Sequence, residues 1–329
     1  MLISRTPFRI SFFGGGTDFP EWYNKFRGKV ITSTINKYCY ISVRYLPPFF
    51  KYNYRLRYFL KEEVKNISSI KHPSIRETIK YLNFKDNLEV VHHADLPALS
   101  GLGASSSFTV GLLNSIIALQ GKRISKKNLG INAIEIEQNK IKEYVGSQDQ
   151  MAAAFGGFNI IDFNKSKIEV TQIPSINKNV KKLEESIFLL FSGYPRKAQS
   201  IEKKKINNLK KNTSYFKEIL NITDRAEDKL YTSKNIISDY SELMEKYWWC
   251  KKKLSTDVSN SKIDKIIKTA LKNGAYAGKL VGAGGGGFLM LLVNPKKKEH
   301  LKKIFKDFTI VPVNFEYNGS QIIYYQDNS

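Results

Sequence analysis

Cysteine is scarce in this chain, and long uncharged apolar runs are absent. The two cysteines among 329 residues, Cys39 and Cys250, lie far apart and lack metal-ligand spacing. That excludes a disulfide framework, and both read as reduced core residues. No uncharged apolar stretch approaches the ~20 residues that a membrane span needs. The opening MLISRTPFRISFF alternates like a strand, carries interior arginines and has no signal-peptide core. The expectation is a soluble, cytoplasmic protein. Acidic residues are also few, 30 against 53 Lys and Arg, for a net charge of +23. Such a balance raises nucleic acid or an anionic membrane as partners. The excess, however, is lysine scattered along the whole chain rather than gathered in a patch. Neither partner is expected, and a polyanionic small molecule fits the same charge. Hydrophobic content of 42% is that of a globular protein, and the length suits two domains, expected at 1–180 and 181–329.

The P-loop pattern GxxxxGK[ST] is missing too, and Gly101–Ser106 falls one glycine short of a dinucleotide fingerprint. What stands there is Pro97–Ser107, PALSGLGASSS, followed by an apolar run from Phe108 to about Leu119. Glycines let backbone N–H groups approach a ligand, serine hydroxyls can meet phosphate or metal, and a helix N-terminus favours an anion. The loop alone reads equally as a helix-capping turn.

Elsewhere the pattern predicts strands over Ile3–Phe13, Lys29–Ile35, Tyr38–Leu46, Tyr52–Phe59, Leu88–Ala94, Phe158–Phe163 and Ile168–Ile173. Pro73 opens a helix to about Leu82. Polar Ser175–Glu185 reads as a linker. The second half alternates differently: a short strand Ile187–Phe191, a lysine-rich helical stretch from Lys197 to about Thr256, and a helix Lys262–Lys272. Strands at Ala277–Val281 and Phe288–Val293 then flank Gly282–Gly287, and after a helix at Lys296–Lys306, strands Phe308–Val313 and Gln321–Tyr325 close the sheet. That order predicts an α+β second domain with an antiparallel sheet.

Two acids stand out. In a helix expected over Lys126–Tyr144, Glu137 shares the apolar stripe of Ala133, Ile134 and Ile141. A carboxylate there needs a basic partner or a metal, unless the stripe edge is simply inexact. Asp149 follows Ser147 in a capping-box pattern with Gln150, so it falls in the first turn of a short helix that stops at Gly156-Gly157. An acid in a first turn is also ordinary helix design.

Three glycine-rich loops in one chain resemble a known set. PFRISFFGGGTDF (Pro7–Phe19), PALSGLGASSS and KLVGAGGGGFLML (Lys279–Leu291) are similar, in order and spelling, to the three signature motifs of the GHMP kinase superfamily. Within it, GGGTDFPEWY, GLGASSSFTVGLLN and SQDQMAAAFGG resemble the branch that acts on D-glycero-D-manno-heptose 7-phosphate; kinases of fucose and related sugars are its neighbours.

The resemblance implies an N-terminal ribosomal-protein-like domain with a left-handed βαβ unit, and a ferredoxin-like C-terminal domain. It implies ATP and Mg²⁺ as cofactors, and transfer of phosphate to the anomeric hydroxyl of the sugar. By the same resemblance, Pro97, Gly101, Leu102, Gly103, Ala104, Ser105 and Ser106 wrap the ATP phosphates, and Ser105 with Glu137 holds the metal. Asp149 stands beside the sugar hydroxyl, Arg9 pairs with it, and Gly16, Thr17, Asp18 and Arg196 contact the sugar. Gly282–Gly287 pack near the phosphates. Pairing with Arg9 weakens Asp149 as a free base, which leaves proton abstraction and orientation as rival roles. Pro195 departs from the family pattern, and this bears on substrate identity. Alternatives are a 1-kinase of an unphosphorylated sugar and a non-catalytic nucleic-acid-binding protein on the same fold.

Overall fold

A computed structural model of the chain describes residues 1–97, 100–193 and 198–326, with side chains for all of these but 198 and 199. Arg196 and Lys197 therefore lie outside the described residues. In chain order the first half comprises β1 (Leu2–Phe13), a one-turn α1 (Pro20–Tyr23), β2 (Gly28–Tyr45), β3 (Tyr54–Arg57), β4 (Lys61–Val64) and α2 (Pro73–Tyr81). It continues with β5 (Leu88–Ala94), α3 (Ala104–Leu119), α4 (Lys126–Ile134), α5 (Gln148–Phe155), β6 (Phe158–Phe163), β7 (Ile168–Ile173) and α6 (Lys178–Ser186).

β2 organises this half. The two strands expected at Lys29–Ile35 and Tyr38–Leu46 are one strand of 18 residues. Its register against β1 jumps between Pro7 and Phe8, which face Tyr38 and Ile35, so Asn36 and Lys37 bulge out of the ladder. Pro7 lacks an N–H at this point, and a bulge bends the strand. On its other side, the first part of β2 pairs with β6 and the last part with β5. The apolar helix α3 packs across β1 and β2, which brings the loop before it over the strand that carries Arg9.

The second half comprises β8 (Ile187–Phe191), α7 (Ala198–Asn207), α8 (Thr213–Thr232), α9 (Ile236–Leu254), α10 (Ser261–Lys272), β9 (Ala275–Leu280), β10 (Phe288–Val293), α11 (Lys298–Ile304), β11 (Ile310–Val311) and β12 (Gln321–Tyr325). The antiparallel sheet β11-β8-β10-β9 has the ferredoxin-like β-α-β-β-α-β order. Four helices stand where that motif needs one. Two of them, α8 and α9, face the first sheet, where Phe13 meets the edges of Tyr240 and Tyr247 and Trp22 stacks on Phe216. A single buried cluster thus runs through both halves. Among the described residues, no helix is long and apolar enough to cross a membrane.

Several expectations are corrected. β12 pairs with β1 in the first sheet and does not close the second, as Gln321–Tyr325 was expected to do. Ser175–Glu185 is mostly helix: α6 buries Val180 and Leu183, three residues apart, under an otherwise polar surface. The strand expected over Tyr52–Phe59 is the shorter β3, paired with β4.

Candidate active site

Gly103 is the N-cap of α3 at φ +77°, a left-handed conformation that a side chain would strain. A Cβ there would also press on Arg9 Cγ at 3.1 Å. No side chain caps this helix, so the N–H groups of its first turn point out of the loop. Two backbone bonds set the loop in place: Arg9 N–H donates to the Leu102 carbonyl at 2.9 Å, and Phe288 N–H donates to the Ser100 carbonyl at 3.0 Å. The second contact brings the third glycine loop onto the first. A Cβ on Gly287 (φ +87°) would lie 2.2 Å from the Ser100 carbonyl oxygen. Close approach of backbones is the task of that loop.

Beside it, Arg9 and Asp149 form a two-pronged pair. Nε donates to Oδ1 at 2.7 Å and Nη2 to Oδ2 at 2.5 Å, while Nη1 donates to the Gly101 carbonyl at 2.6 Å. One buried guanidinium therefore joins Asp149 to the glycine loop that precedes α3. Asp149 sits in the first turn of α5, as expected, but Ser147 makes no cap. Its hydroxyl meets Tyr23 and Gln138 instead, and Gln150 donates to Glu137. Asp18 shares the cavity with Asp149. Burial pushes its carboxyl up to about 6; the Gly16 N–H at 2.8 Å opposes the shift, and the charges of Asp149 and Glu202 add to it.

Glu137 lies on a π-helical turn, Glu135–Lys140, that follows α4. The helix expected to run to Tyr144 stops here, and Lys142 takes a left-handed φ of +64°. Wide turns of this kind recur at functional sites. Glu137 is fully buried and accepts at Oε2 from Ser106 Oγ at 2.8 Å and from Gln150. Its Oε1 has no partner. Burial pushes the carboxyl up to about 7, helped by Glu143 and opposed by the polar groups of Thr109, Gln150 and Ser106 around it. An orphaned carboxylate oxygen beside the glycine loop has the donor chemistry that suits a hard cation. Among the described residues no group of three or more His, Cys, Asp or Glu gathers as an all-protein metal site.

Other expected residues divide. Gly16 lines the cavity with Asp18. Thr17 does not reach it: the hydroxyl is buried and donates to the carbonyls of Gly14 at 2.8 Å and Lys29 at 3.0 Å, which ties the glycine turn to β2. Leu102 is a core residue. Ser106 turns its hydroxyl to Glu137, whereas Ser105 is exposed and Ala104 half-buried at the start of α3. Pro97 is exposed where the loop begins.

Sequence reading missed four residues in the lysine-rich second half. Glu202 and Lys251 line the cavity. Lys205 is buried against the third glycine loop, and Lys279 is buried with Nζ donating to the Ser11 carbonyl at 2.7 Å. Burial holds the Lys279 amine well below its ordinary value, and the charges of Lys251 and Arg9 act in the same direction. No local signal separates these lysines from the solvated ones around them.

Comparison with known proteins bears on this site. The description "GHMP kinases N terminal domain" matches residues 71–157, and "GHMP kinases C terminal" matches 234–310. The D-glycero-alpha-D-manno-heptose 7-phosphate kinase of Campylobacter jejuni is 30% identical over 92% of this chain and 92% of its own. A mevalonate kinase of Methanocaldococcus jannaschii is 28% identical over 71% of this chain and 72% of its own. Among solved structures, a D-glycero-D-manno-heptose 1-phosphate kinase from Bacteroides thetaiotaomicron superposes with a TM-score of 0.81 at 22% identity, covering 99% of this chain and 100% of that one.

Proposed function

Since the chain belongs to the GHMP kinase family, and is therefore a phosphotransferase, we propose that it transfers the γ-phosphoryl group of ATP to the anomeric hydroxyl of D-glycero-D-manno-heptose 7-phosphate. The product is the 1,7-bisphosphate, a precursor for nucleotide-activated heptose and surface polysaccharide. The observation that carries the kinase chemistry is the contact of Arg9 with both Asp149 and the Gly101 carbonyl. Phosphoryl transfer asks a protein for position and charge neutralisation more than for covalent chemistry. A guanidinium shared by the acceptor's acid and the phosphate loop supplies both.

The first-turn N–H groups of α3 receive the phosphates, and Asp149, paired with Arg9, either orients the anomeric hydroxyl or takes up its proton. Glu137, through Oε1, and the exposed Ser105 hydroxyl would hold Mg²⁺, with Ser106 keeping the Glu137 carboxylate turned. Held by these residues, Mg²⁺ would supply positive charge to offset that of the phosphates. Asp18 accepts hydrogen bonds from sugar hydroxyls. The choice of heptose 7-phosphate rests on the similarity to the Campylobacter jejuni kinase over most of both chains.

A second reading, a 1-kinase of an unphosphorylated sugar, is favoured by the charge of the cavity, where Asp18, Asp149 and Glu202 outnumber Arg9 and Lys251. ADP release measured with heptose 7-phosphate, free heptose, fucose, galactose, mannose and mevalonate tests both. The first reading expects turnover with the 7-phosphate. Turnover confined to free sugars selects the second, and silence across the panel sinks the sugar kinase reading.

A further inference from the structure

One wall of the acceptor cavity comes from the second half of the chain, and it carries an acid to which no task has been given. Glu202, on α7, lines the same cavity as Asp18 and Asp149. Its Oε1 accepts from Lys205 Nζ at 3.3 Å, but its Oε2 is buried without a hydrogen-bond partner. A buried acceptor left unsatisfied costs free energy, and such groups in native proteins are commonly completed by a ligand or water.

The surroundings hold this acid firmly. Lys205, itself buried, donates to the Ala283 carbonyl at 2.6 Å, and Lys251 donates to the neighbouring Gly282 carbonyl at 2.7 Å. Two lysines from α7 and α9 thus fasten consecutive carbonyls of the third glycine loop, the same loop that lies on Ser100. Glu202 is therefore positioned by the framework that positions the phosphate loop. It is also near enough to Asp18 for its charge to act on that carboxyl.

The chemistry of what Oε2 lacks is a donor. Three of the charged groups lining the cavity are carboxylates and two are cations, and Arg9 is committed to Asp149. A phosphate here would add a further anion against Asp18, Asp149 and Glu202. Sugar hydroxyls bring O–H donors and no charge. We propose that Glu202 is a specificity-determining residue of the acceptor site, with Oε2 accepting hydrogen bonds from sugar hydroxyls remote from the reacting one. A distal phosphate, on this account, projects out of the cavity. The inference rests on the sugar kinase reading above.

The test is steady-state kinetics of Glu202→Gln and Glu202→Ala with heptose 7-phosphate and free heptose, after thermal unfolding has shown each variant folded. A hydrogen bond to a charged acceptor supports an expected rise in sugar KM of about tenfold or more for both sugars. The KM for ATP should stay within about twofold, which a general loosening of the loop framework would not allow. Wild-type enzyme should lose a similar factor on a deoxy analogue lacking the recognised hydroxyl, and Glu202→Ala should be indifferent to that deletion. Should both variants fail to fold, Glu202→Asp, which keeps the charge facing Lys205, takes their place with the same expected outcome. A sugar KM unchanged in the variants overturns the proposal. So does a KM that falls for the 7-phosphate alone, since that result would put the distal phosphate against Glu202. Wild-type enzyme that turns over neither sugar fails the parent reading instead.

Discussion

In the proposed acceptor half of the site Arg9 and Asp149 neutralise each other through two hydrogen bonds, whereas in the proposed phosphate half Glu137 is buried with one oxygen unpartnered and α3 begins without a side-chain cap. The first arrangement is complete in the free protein. The second is left open, and a proton or a bound cation would offset the cost of burying its charge. The contrast suits an enzyme that must hold an acceptor hydroxyl in a fixed geometry yet release a nucleotide. Mutations on the two sides should therefore act differently on the free and the liganded protein.

The largest effect belongs to the closed pair. Asp149→Asn keeps the shape and should lower kcat by about a hundredfold or more if the carboxylate takes the proton. A loss below about tenfold in single-turnover experiments would assign Asp149 to orientation alone. Asp149→Ala leaves a buried guanidinium unpaired and should cost about 3–5 kcal/mol of stability, read by urea unfolding.

On the open side the sign reverses. The folded pKa of Glu137 stands near 7 against an ordinary 4.5, so the folded state keeps a proton that the unfolded chain releases. Stability of the free protein therefore falls as pH rises through the window from about 4.5 to about 7, and the full penalty, on the order of 3 kcal/mol, is present above it. Glu137→Gln should flatten this dependence in melting curves between pH 5 and 8. An unchanged slope would mean that the cost lies elsewhere, Asp18 being the other buried acid with a raised value.

Two smaller effects sharpen the comparison. Gly287→Ala forces a side chain into a left-handed position against the Ser100 carbonyl. It should lower stability by about 1–3 kcal/mol and weaken nucleotide binding in titration calorimetry. Intact nucleotide affinity would show that the two glycine loops act independently. Thr17→Val removes a hydroxyl that ties two carbonyls, and should cost about 1 kcal/mol with the sugar KM unchanged. A raised sugar KM would restore Thr17 to the acceptor site.

Much of this was legible before any geometry. Glycine loops announce themselves because a side chain is strained at most of their backbone angles, and three such loops in order resemble the family's motifs. Glu137 stood out because an acid on an apolar stripe is costly. The pair at Asn36–Lys37, where the strand pattern lapsed, turned out to be a bulge inside one continuous strand. Residues whose role depends on distant partners stayed hidden. Glu202 and Lys251 sit in helices crowded with lysine, and only the docking of α7 and α9 on the third glycine loop separates them from solvated neighbours. Nor does local pattern tell Ser105 from Ser106; the facing helix decides which hydroxyl turns inward.

The return of β12 to the edge of β1 has a consequence for how the protein is made. Leu2 pairs with Tyr325 and Arg5 with Gln321, so the strand that carries Arg9 is synthesised early and its outer edge is covered only late. Throughout translation that edge offers bare N–H and C=O groups to any other strand. The first sheet therefore cannot finish as an independent unit while the second half emerges from the ribosome. A chain released before residue 321 would keep Arg9 and Asp149 yet leave the Leu2–Arg5 edge of β1 unpaired.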